Sequence, residues 1–368
     1  MDIEYLHLYV KNAWVWRDWF VEKLNFQSVS ATSLGKLSEL AVQSADILIL
    51  ISSKQTGNPE VQQFLRKHPE GVADVAFRVH NLATVVAQVQ KAGGQLIQPI
   101  QHQTGSRGNV RWCRIQGWGN ISHTLLEYAD ALIEEEAKAA PPPNALAGMN
   151  VQLTNSALPW LSIDHVVLNV PSNELEQAVV WYESQLGFVR QQQFAIATAQ
   201  SGLRSFVLKH PEGKATLPIN EPTSQNSQIQ EFLDLNRGSG IQHAALQTDD
   251  LVQTVAVLRQ RQIPFLSVPA TYYEELQTRP GFWQEAGDWS EIAQQQILVD
   301  WPPEAPQTRL LQTFMQPLLE QPTFFWELIE RQTQITQTGI QRAEGFGAGN
   351  FQALFEAIER EQQQRGSL

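Results

Sequence analysis

Two histidines and a glutamate stand out as residues that could do chemistry: His165, His243 and Glu327. Each sits in apolar text of the kind that makes strands, around Asp164-His165-Val166-Val167, Gln242-His243-Ala244-Ala245 and Trp326-Glu327-Leu328-Ile329. Two imidazoles and one carboxylate suit a borderline divalent metal, and three protein ligands leave coordination positions open. That is the ligand set expected of a non-haem Fe(II) oxygenase, whose ion must accept an organic chelate and O2 together. Three residues on distant strands are a weak motif, and a lone strand histidine is more often packed than ligating. His7, His68, His80, His102, His123 and His210 are read in that plainer way, and His68 and His210 both lie in His-Pro-Glu-Gly turns.

What sets His165 and His243 apart is the module that carries them. The text Ile163-Asp164-His165-Val166-Val167-Leu168-Asn169-Val170 nearly repeats Ile3-Glu4-Tyr5-Leu6-His7-Leu8-Tyr9-Val10. After the first copy, Trp16, Trp19, Phe20 and Leu24 recur at helical spacing. A hairpin over 37–42 and 47–51 follows, then a strand over 73–79, a helix bearing Leu82, Val85, Val86 and Val89, and strands over 110–115 and 123–128. The order is βαβββ followed by βαβββ. The second half repeats it, with Trp181-Tyr182…Leu186-Gly187-Phe188 matching Trp19-Phe20…Leu24-Asn25-Phe26, and Gly240–Leu246 text matching 71–77. On this alignment Tyr5, Asp74 and Glu127 occupy the places of His165, His243 and Glu327, so the first copy is expected to bind no metal. The offset between copies grows toward the end, which places an insertion mainly at 268–294.

Strand parity puts Phe325 on the face of Glu327 and Gln312 on the face of Phe314, the wall of a cavity suited to a planar aromatic ligand. Residues 131–160, with Pro141-Pro142-Pro143, read as a linker. The tail Gly345-Phe346-Gly347-Ala348-Gly349-Asn350 lacks the strand and final glycine of a dinucleotide loop. It reads instead as a mobile loop, with Asn350 capping a last helix that could act as a lid. The net charge of −12 argues against nucleic-acid and anionic-membrane partners. The one cysteine, Cys113, excludes an intrachain disulfide and a cysteine-built metal site, and is expected to be a buried strand residue. Neither a leader nor an 18-residue apolar run is found, so a cytoplasmic protein is expected.

Further blocks accompany the candidate ligands: Leu217-Pro218-Ile219-Asn220-Glu221-Pro222, Ser227-Gln228-Ile229-Gln230, Pro269-Ala270-Thr271-Tyr272-Tyr273, and the glycine-rich tail continuing through Phe351, Leu354, Phe355, Ile358 and Glu359. Together these resemble the vicinal oxygen chelate superfamily and, within it, the chain is similar to the 4-hydroxyphenylpyruvate dioxygenase family. The resemblance covers essentially the whole second half; the first half shares the module order. It implies an α+β, glyoxalase-like fold of duplicated βαβββ modules forming two open half-barrel domains with a C-terminal lid helix. The implied division is a metal-free domain over 1–130, a linker over 131–160 and a catalytic domain over 161–368.

The resemblance further implies Fe(II) on His165, His243 and Glu327. The implied reaction converts 4-hydroxyphenylpyruvate and O2 to homogentisate and CO2 by oxidative decarboxylation, ring hydroxylation and side-chain migration. The family's substrate-pocket positions fall on Ser205, Asn220, Gln228, Gln242 and Gln312. Its ring-stacking positions fall on Phe314 and Phe351, and its inner wall on Phe325 and Phe355, with Asn350 also counted as substrate-binding. Parity places Gln242 on the strand face opposite His243. The text Phe325-Trp326-Glu327-Leu328-Ile329-Glu330 is bulkier than the family's, and Trp301-Pro302-Pro303 is an unusual connection. A homo-oligomer, dimer or tetramer, is implied, with Trp14 and Trp16 available for an interface. The alternative on the same fold and substrate is 4-hydroxymandelate synthesis, against which Pro218 and Phe325 speak by resemblance. A metal-free binding protein is a second alternative, opposed by the three ligands. Homogentisate would feed tyrosine breakdown or plastoquinone and tocopherol synthesis.

Overall fold

Strand β1 (Asp2–Tyr9) runs into helix α1 (Ala13–Leu24), which starts where the Asn12 side chain accepts from the amides of Trp14 and Val15. It stops at Asn25 in the left-handed conformation (φ 62°), which asparagine and glycine tolerate best. The matching position Gly187 has φ 75°, so the two copies share a helix stop as well as a spacing. Strands β2 (Gln27–Ser30), β3 (Leu40–Ser44) and β4 (Ile47–Ser52) complete the first module. Helix α2 (Pro59–Lys67) bridges to the second: β5 (Gly71–Arg78), α3 (Leu82–Lys91), β6 (Leu96–Gly105), β7 (Gly108–Gln116) and β8 (Ser122–Tyr128). Cys113 is fully buried on β7, and burial pushes its thiol up to about 12.

The second half repeats the order with β9 (Trp160–Asn169), α4 (Leu175–Leu186), β10 (Val189–Ala197), β11 (Gly202–Lys209), β12 (Thr216–Pro222), α5 (Gln228–Asn236), β13 (Gly240–Thr248) and α6 (Leu251–Gln260). Helices α7 (Ala270–Thr278) and α8 (Trp289–Gln294) fall in the expected insertion. Then come β14 (Leu298–Asp300), β15 (Leu310–Phe314), β16 (Phe325–Arg331), a small hairpin of β17 (Thr333–Thr336) and β18 (Gly339–Arg342), and helix α9 (Ala348–Arg365). This computed structural model describes residues 1–30, 40–105, 108–128, 158–282, 289–302, 304–336 and 339–366. The expected linker over 131–160 lies outside them except for its last three residues.

Each half forms one mixed eight-stranded sheet, ordered β2-β3-β4-β1-β5-β8-β7-β6 and β10-β11-β12-β9-β13-β16-β15-β14. The chain divides into two compact units, one of Met1–Leu158 with Trp181–Phe188 and His210–Ala215, the other of the remaining residues from Pro159 on. In both sheets the modules meet where the first strand of one pairs antiparallel with the first strand of the next, β1 with β5 and β9 with β13.

Register corrects one part of the sequence alignment. Tyr5 pairs with Ala76 as His165 pairs with Ala245, so Tyr5 is the counterpart of His165. Asp74 pairs with Ser122 as His243 pairs with Phe325, which makes Thr124, not Glu127, the counterpart of Glu327. Glu127 matches Glu330 instead: each accepts from the first amide of the helix of its own module, Leu82 N at 2.9 Å and Leu251 N at 2.8 Å. The misplacement has a simple cause, since Glu327 and Glu330 lie three residues apart in one apolar strand. In the first unit Tyr5 packs among Ala41, Leu48, Leu50, Ala76, Val110 and Leu126. Asp74 accepts from Ser122 Oγ (2.7 Å) and Thr124 Oγ1 (2.9 Å).

If Glu330 serves the helix and Glu327 the site, Glu330→Ala should lower stability by about 1 kcal/mol through loss of the carboxylate at a helix N-terminus. Metal uptake should be unchanged. Denaturant unfolding and metal analysis of the one variant check both halves of that expectation.

Candidate metal centre

The three predicted ligands come from three adjacent strands of the second sheet. His165 on β9 faces Ala245 on β13, and Ala245 faces Glu327 on β16, so the three form one row across the sheet. His243 stands two residues before Ala245 on the same face. Ala245, between His165 and Glu327 in the row, carries only a methyl group and packs with Leu310, Ile329 and Ala343, so a larger side chain there would press on the ligands or these neighbours. His165 Nε2 lies 3.2 Å and His243 Nε2 3.5 Å from Glu327 Oε2, and the three donor atoms lie within 4.8 Å of one another. Donors bound at about 2.0–2.2 Å to one ion sit roughly 3–4 Å apart, so the arrangement fits a divalent metal. All three residues are buried.

Electrostatics follow from that burial. Desolvation alone would lower the His165 imidazole, but Glu327 and a hydrogen bond to Asp164 outweigh it and raise the group to about 9. Burial would raise Glu327, and the neighbouring imidazoles instead bring it down to about 2. For His243 burial prevails and lowers the imidazole. Glu327 is held from behind, since Gln312 Nε2 donates to its Oε1 at 2.8 Å and leaves Oε2 to the histidines. Gln312 in turn accepts from Asn350 Nδ2 at 2.8 Å. On the other side His165 Nδ1 donates to Asp164 Oδ1 at 2.9 Å, the bond that frees Nε2 for a metal. Asp164 has no ladder partner opposite it, because β9 bulges there between Ile163 and His165. Burial would raise this carboxyl, but Arg331 holds it far below the usual range.

The other predicted residues divide into groups. Phe325 stacks on His243 with ring centres 4.7 Å apart, and Phe314 stands edge-on to both at 6.4 and 6.3 Å. Gln228, Gln242 and Phe325 line a cleft with Phe232, Leu266 and Met315. Gln242 gets there by a second bulge, between Ile241 and His243, that breaks the alternation from which the opposite face was expected. Ser205 pairs with Asn220 and Asn220 with Asn169, a polar row across β11, β12 and β9. Asn220 donates to Asn169 at 3.2 Å, yet Ser205 Oγ, Asn220 Oδ1 and Asn169 Nδ2 are buried without a protein partner. Each such atom costs about 1–3 kcal/mol unless something bonds it, which marks the row as a place for a polar ligand.

Phe351 reaches both apolar clusters beside the site, whereas Phe355 packs with Ile229, Phe232 and Leu233 of α5. Gln312 is engaged with Glu327 and Asn350, and Asn350 does not cap α9: the cap residue is Gly347, and Asn350 is buried within the first turn. A cap must lie outside the helix, and α9 begins three residues earlier than expected. Gly347 has φ 57°, and a Cβ there would come within 2.9 Å of Asp300 Cβ, so the tail glycines serve close packing. Sequence reasoning missed Asn169, Asp164, Arg331 and Phe346. Asn169 lies four residues beyond His165 on the same strand face, and that parity could have found it.

A βαβββ sheet that gathers two imidazoles and a carboxylate on its inner strands defines a metal-chelating dioxygenase- or glyoxalase-type protein. Residues 162–279 match the Glyoxalase/Bleomycin resistance protein/Dioxygenase superfamily. The chain is 35% identical to the 4-hydroxyphenylpyruvate dioxygenase of Caenorhabditis briggsae, over 95% of this chain and 89% of that one. It is 33% identical to an uncharacterized Synechocystis protein, covering 98% and 97% of the two chains. A variant of 4-hydroxymandelate synthase from Streptomyces coelicolor shares the fold, with a TM-score of 0.79 at 24% identity over 98% of both chains. The chain belongs to the 4-hydroxyphenylpyruvate dioxygenase family.

Because His165 must lose a proton to ligate, and holds it up to about pH 9 in the metal-free protein, metal uptake below that pH releases a proton. Apparent affinity should therefore fall as pH falls, by about tenfold per unit between 9 and 7. Competition with a chelator across that range measures it. Ala245→Leu should abolish metal uptake and cost about 1–3 kcal/mol of stability by overpacking, read by metal analysis and denaturant unfolding.

Proposed function

We propose that this protein holds Fe(II) on His165, His243 and Glu327 and converts 4-hydroxyphenylpyruvate and O2 to homogentisate and CO2. The observation that carries the proposal is the convergence of His165 Nε2 and His243 Nε2 on Glu327 Oε2, at 3.2 and 3.5 Å, in a chain of this family. Bound there, iron would supply what side chains lack, a Lewis acid for the substrate's 2-oxo acid and electron transfer to O2. The substrate brings its own 2-oxo acid, so no separate oxo-acid cosubstrate is implied.

The chain's own residues then have positional tasks. Phe314 and Phe325 are flat apolar walls beside His243, suited to hold an aromatic ring. Ser205, Asn220 and Asn169 offer hydrogen-bonding atoms on one side, and Gln228 and Gln242 offer amides from the cleft. A substrate with a phenol at one end and a 2-oxo acid at the other needs polar partners at both ends. Orientation decides the product, because a strong oxidant attacks the carbon held closest to it. Helix α9, with Phe351, Leu354 and Phe355 packed inward, would keep bulk water from the reaction. The proposal includes a dimer or tetramer in the cytoplasm, with Trp14, 48% exposed on α1, as a candidate contact. Among the described residues no helix is long and apolar enough to cross a membrane.

Oxygen uptake and product chromatography with 4-hydroxyphenylpyruvate should give homogentisate and one CO2 for each O2 consumed. Hydroxymandelate as the product would overturn the proposal in favour of the alternative chemistry. His165→Ala should lose bound iron and turnover together, and a purified variant that keeps both would refute the ligand assignment.

A further inference from the structure

We propose that Arg331 is a positioning residue that couples metal binding to the seating of helix α9. Its guanidinium works on two sides. Nε and Nη2 bind Asp164 at 2.6 and 2.7 Å, in the two-pronged geometry that favours arginine over lysine. Nη1 donates to the backbone carbonyls of Gly345, at 2.9 Å, and Ala343, at 3.3 Å. Asp164 is the group that fixes His165 through Nδ1, so one buried cation joins a metal ligand to the segment that leads into α9. That segment also lays Phe346 edge-on against the His165 ring, with centres 4.7 Å apart, and 5.9 Å from the Arg331 guanidinium carbon.

A second path runs from the first turn of the same helix. Asn350 holds Gln312, and Gln312 holds the outer oxygen of Glu327. The beginning of α9 is therefore bonded toward two of the three ligands from different directions. The duplicated unit provides an internal comparison. There the same bulge carries Glu4, and the position of Arg331 is taken by Tyr128, whose hydroxyl donates to Glu4 at 2.5 Å. Arg78 Nε also stands 4.0 Å from Glu4, so both units place a cation near the bulged acid; the two-pronged, largely buried arginine that reaches on to a further segment belongs to the unit that has the ligand set.

A metal ion held by His165 Nε2 and Glu327 Oε2 would fix the ring and the carboxylate that these two paths grip from behind, and so steady residues 343–350 through Arg331 and Asn350. By linkage, a seated helix must tighten metal binding to the same extent. Closure of the cleft by Ile358 and Glu361, which line it, would then depend on a loaded site. The inference rests on the metal site proposed above but not on the substrate or the reaction.

Hydrogen exchange on the full chain, metal-free and loaded with Fe(II) under nitrogen, tests it. Exchange over residues 343–360 should slow on loading by roughly threefold or more. Arg331→Met should remove that difference and weaken Fe(II) binding about 10- to 100-fold. Arg331→Lys should restore Fe(II) affinity, because a charge remains beside Asp164, but not helix protection, because an ammonium lacks the fork. Unchanged exchange over 343–360 when the unmodified protein binds Fe(II) would overturn the coupling and leave the metal site standing. Failure of the unmodified chain to bind Fe(II) would overturn both. Should Arg331→Met not fold, the lysine variant decides, since full helix protection in it would also refute the role.

Discussion

Glu327 carries a negative charge in a place where water does not reach it, and the arrangement of the second unit follows from that. Burying an ion costs several kcal/mol unless charge and hydrogen bonds compensate. Here every partner comes from a different strand. Gln312 of β15 takes one oxygen, and the imidazoles of β9 and β13 face the other. The parallel pairing of β13 with β16 puts Ala245 opposite Glu327, and the antiparallel seam of β9 with β13 puts His165 on the other side of Ala245. The site is thus a property of the register of three strands. A slip by one residue would turn the ligands to the other face and leave a carboxylate buried without a partner.

The duplicated scaffold clarifies what the fold requires and what the chemistry requires. Both units keep the bulge before the first strand's key residue, the acid on that bulge, and the glutamate that meets the start of its module's helix. These recur because the sheet and its helices need them. What differs is the inner row, Tyr5, Asp74 and Thr124 in one unit against His165, His243 and Glu327 in the other. An apolar cluster surrounds Tyr5, and hydroxyls satisfy Asp74, so the first unit stabilises its centre with its own side chains. The second unit leaves donor atoms converging on one point.

Around that point the C-terminal segment closes the structure. Phe346 lies against the His165 ring, Asn350 bonds the Gln312 that holds Glu327, and the carbonyls of Ala343 and Gly345 reach His165 through Arg331 and Asp164. Farther along, Glu359 accepts from Thr198 Oγ1 at 2.7 Å and from Ser201 Oγ, which fastens α9 to the turn between β10 and β11. The helix is held at its start by groups that answer to the metal site and at its end by groups that do not.

Helix and strand periodicity, local properties of the chain, made the duplication, the module order and the faces of Phe325, Gln312 and Phe314 legible, while the three candidate ligands came from residue type, their places in the module and the family resemblance. Glu127 was placed opposite Glu327 because spacing cannot distinguish two glutamates on one kind of strand, whereas the hydrogen bond to Leu82 can. Gln242 was put on the wrong face, and Asp164 was overlooked, for a shared reason: each sits at or beside a bulge. A bulge is a mismatch between two strands far apart in sequence, so no single strand records it. Arg331 and Phe346 likewise gain their positions only when β16 and the segment before α9 are brought to the back of His165. Residue types determined which chemistry was available, and the pairing of distant strands decided which atoms meet, because register is set by contacts the linear chain does not contain.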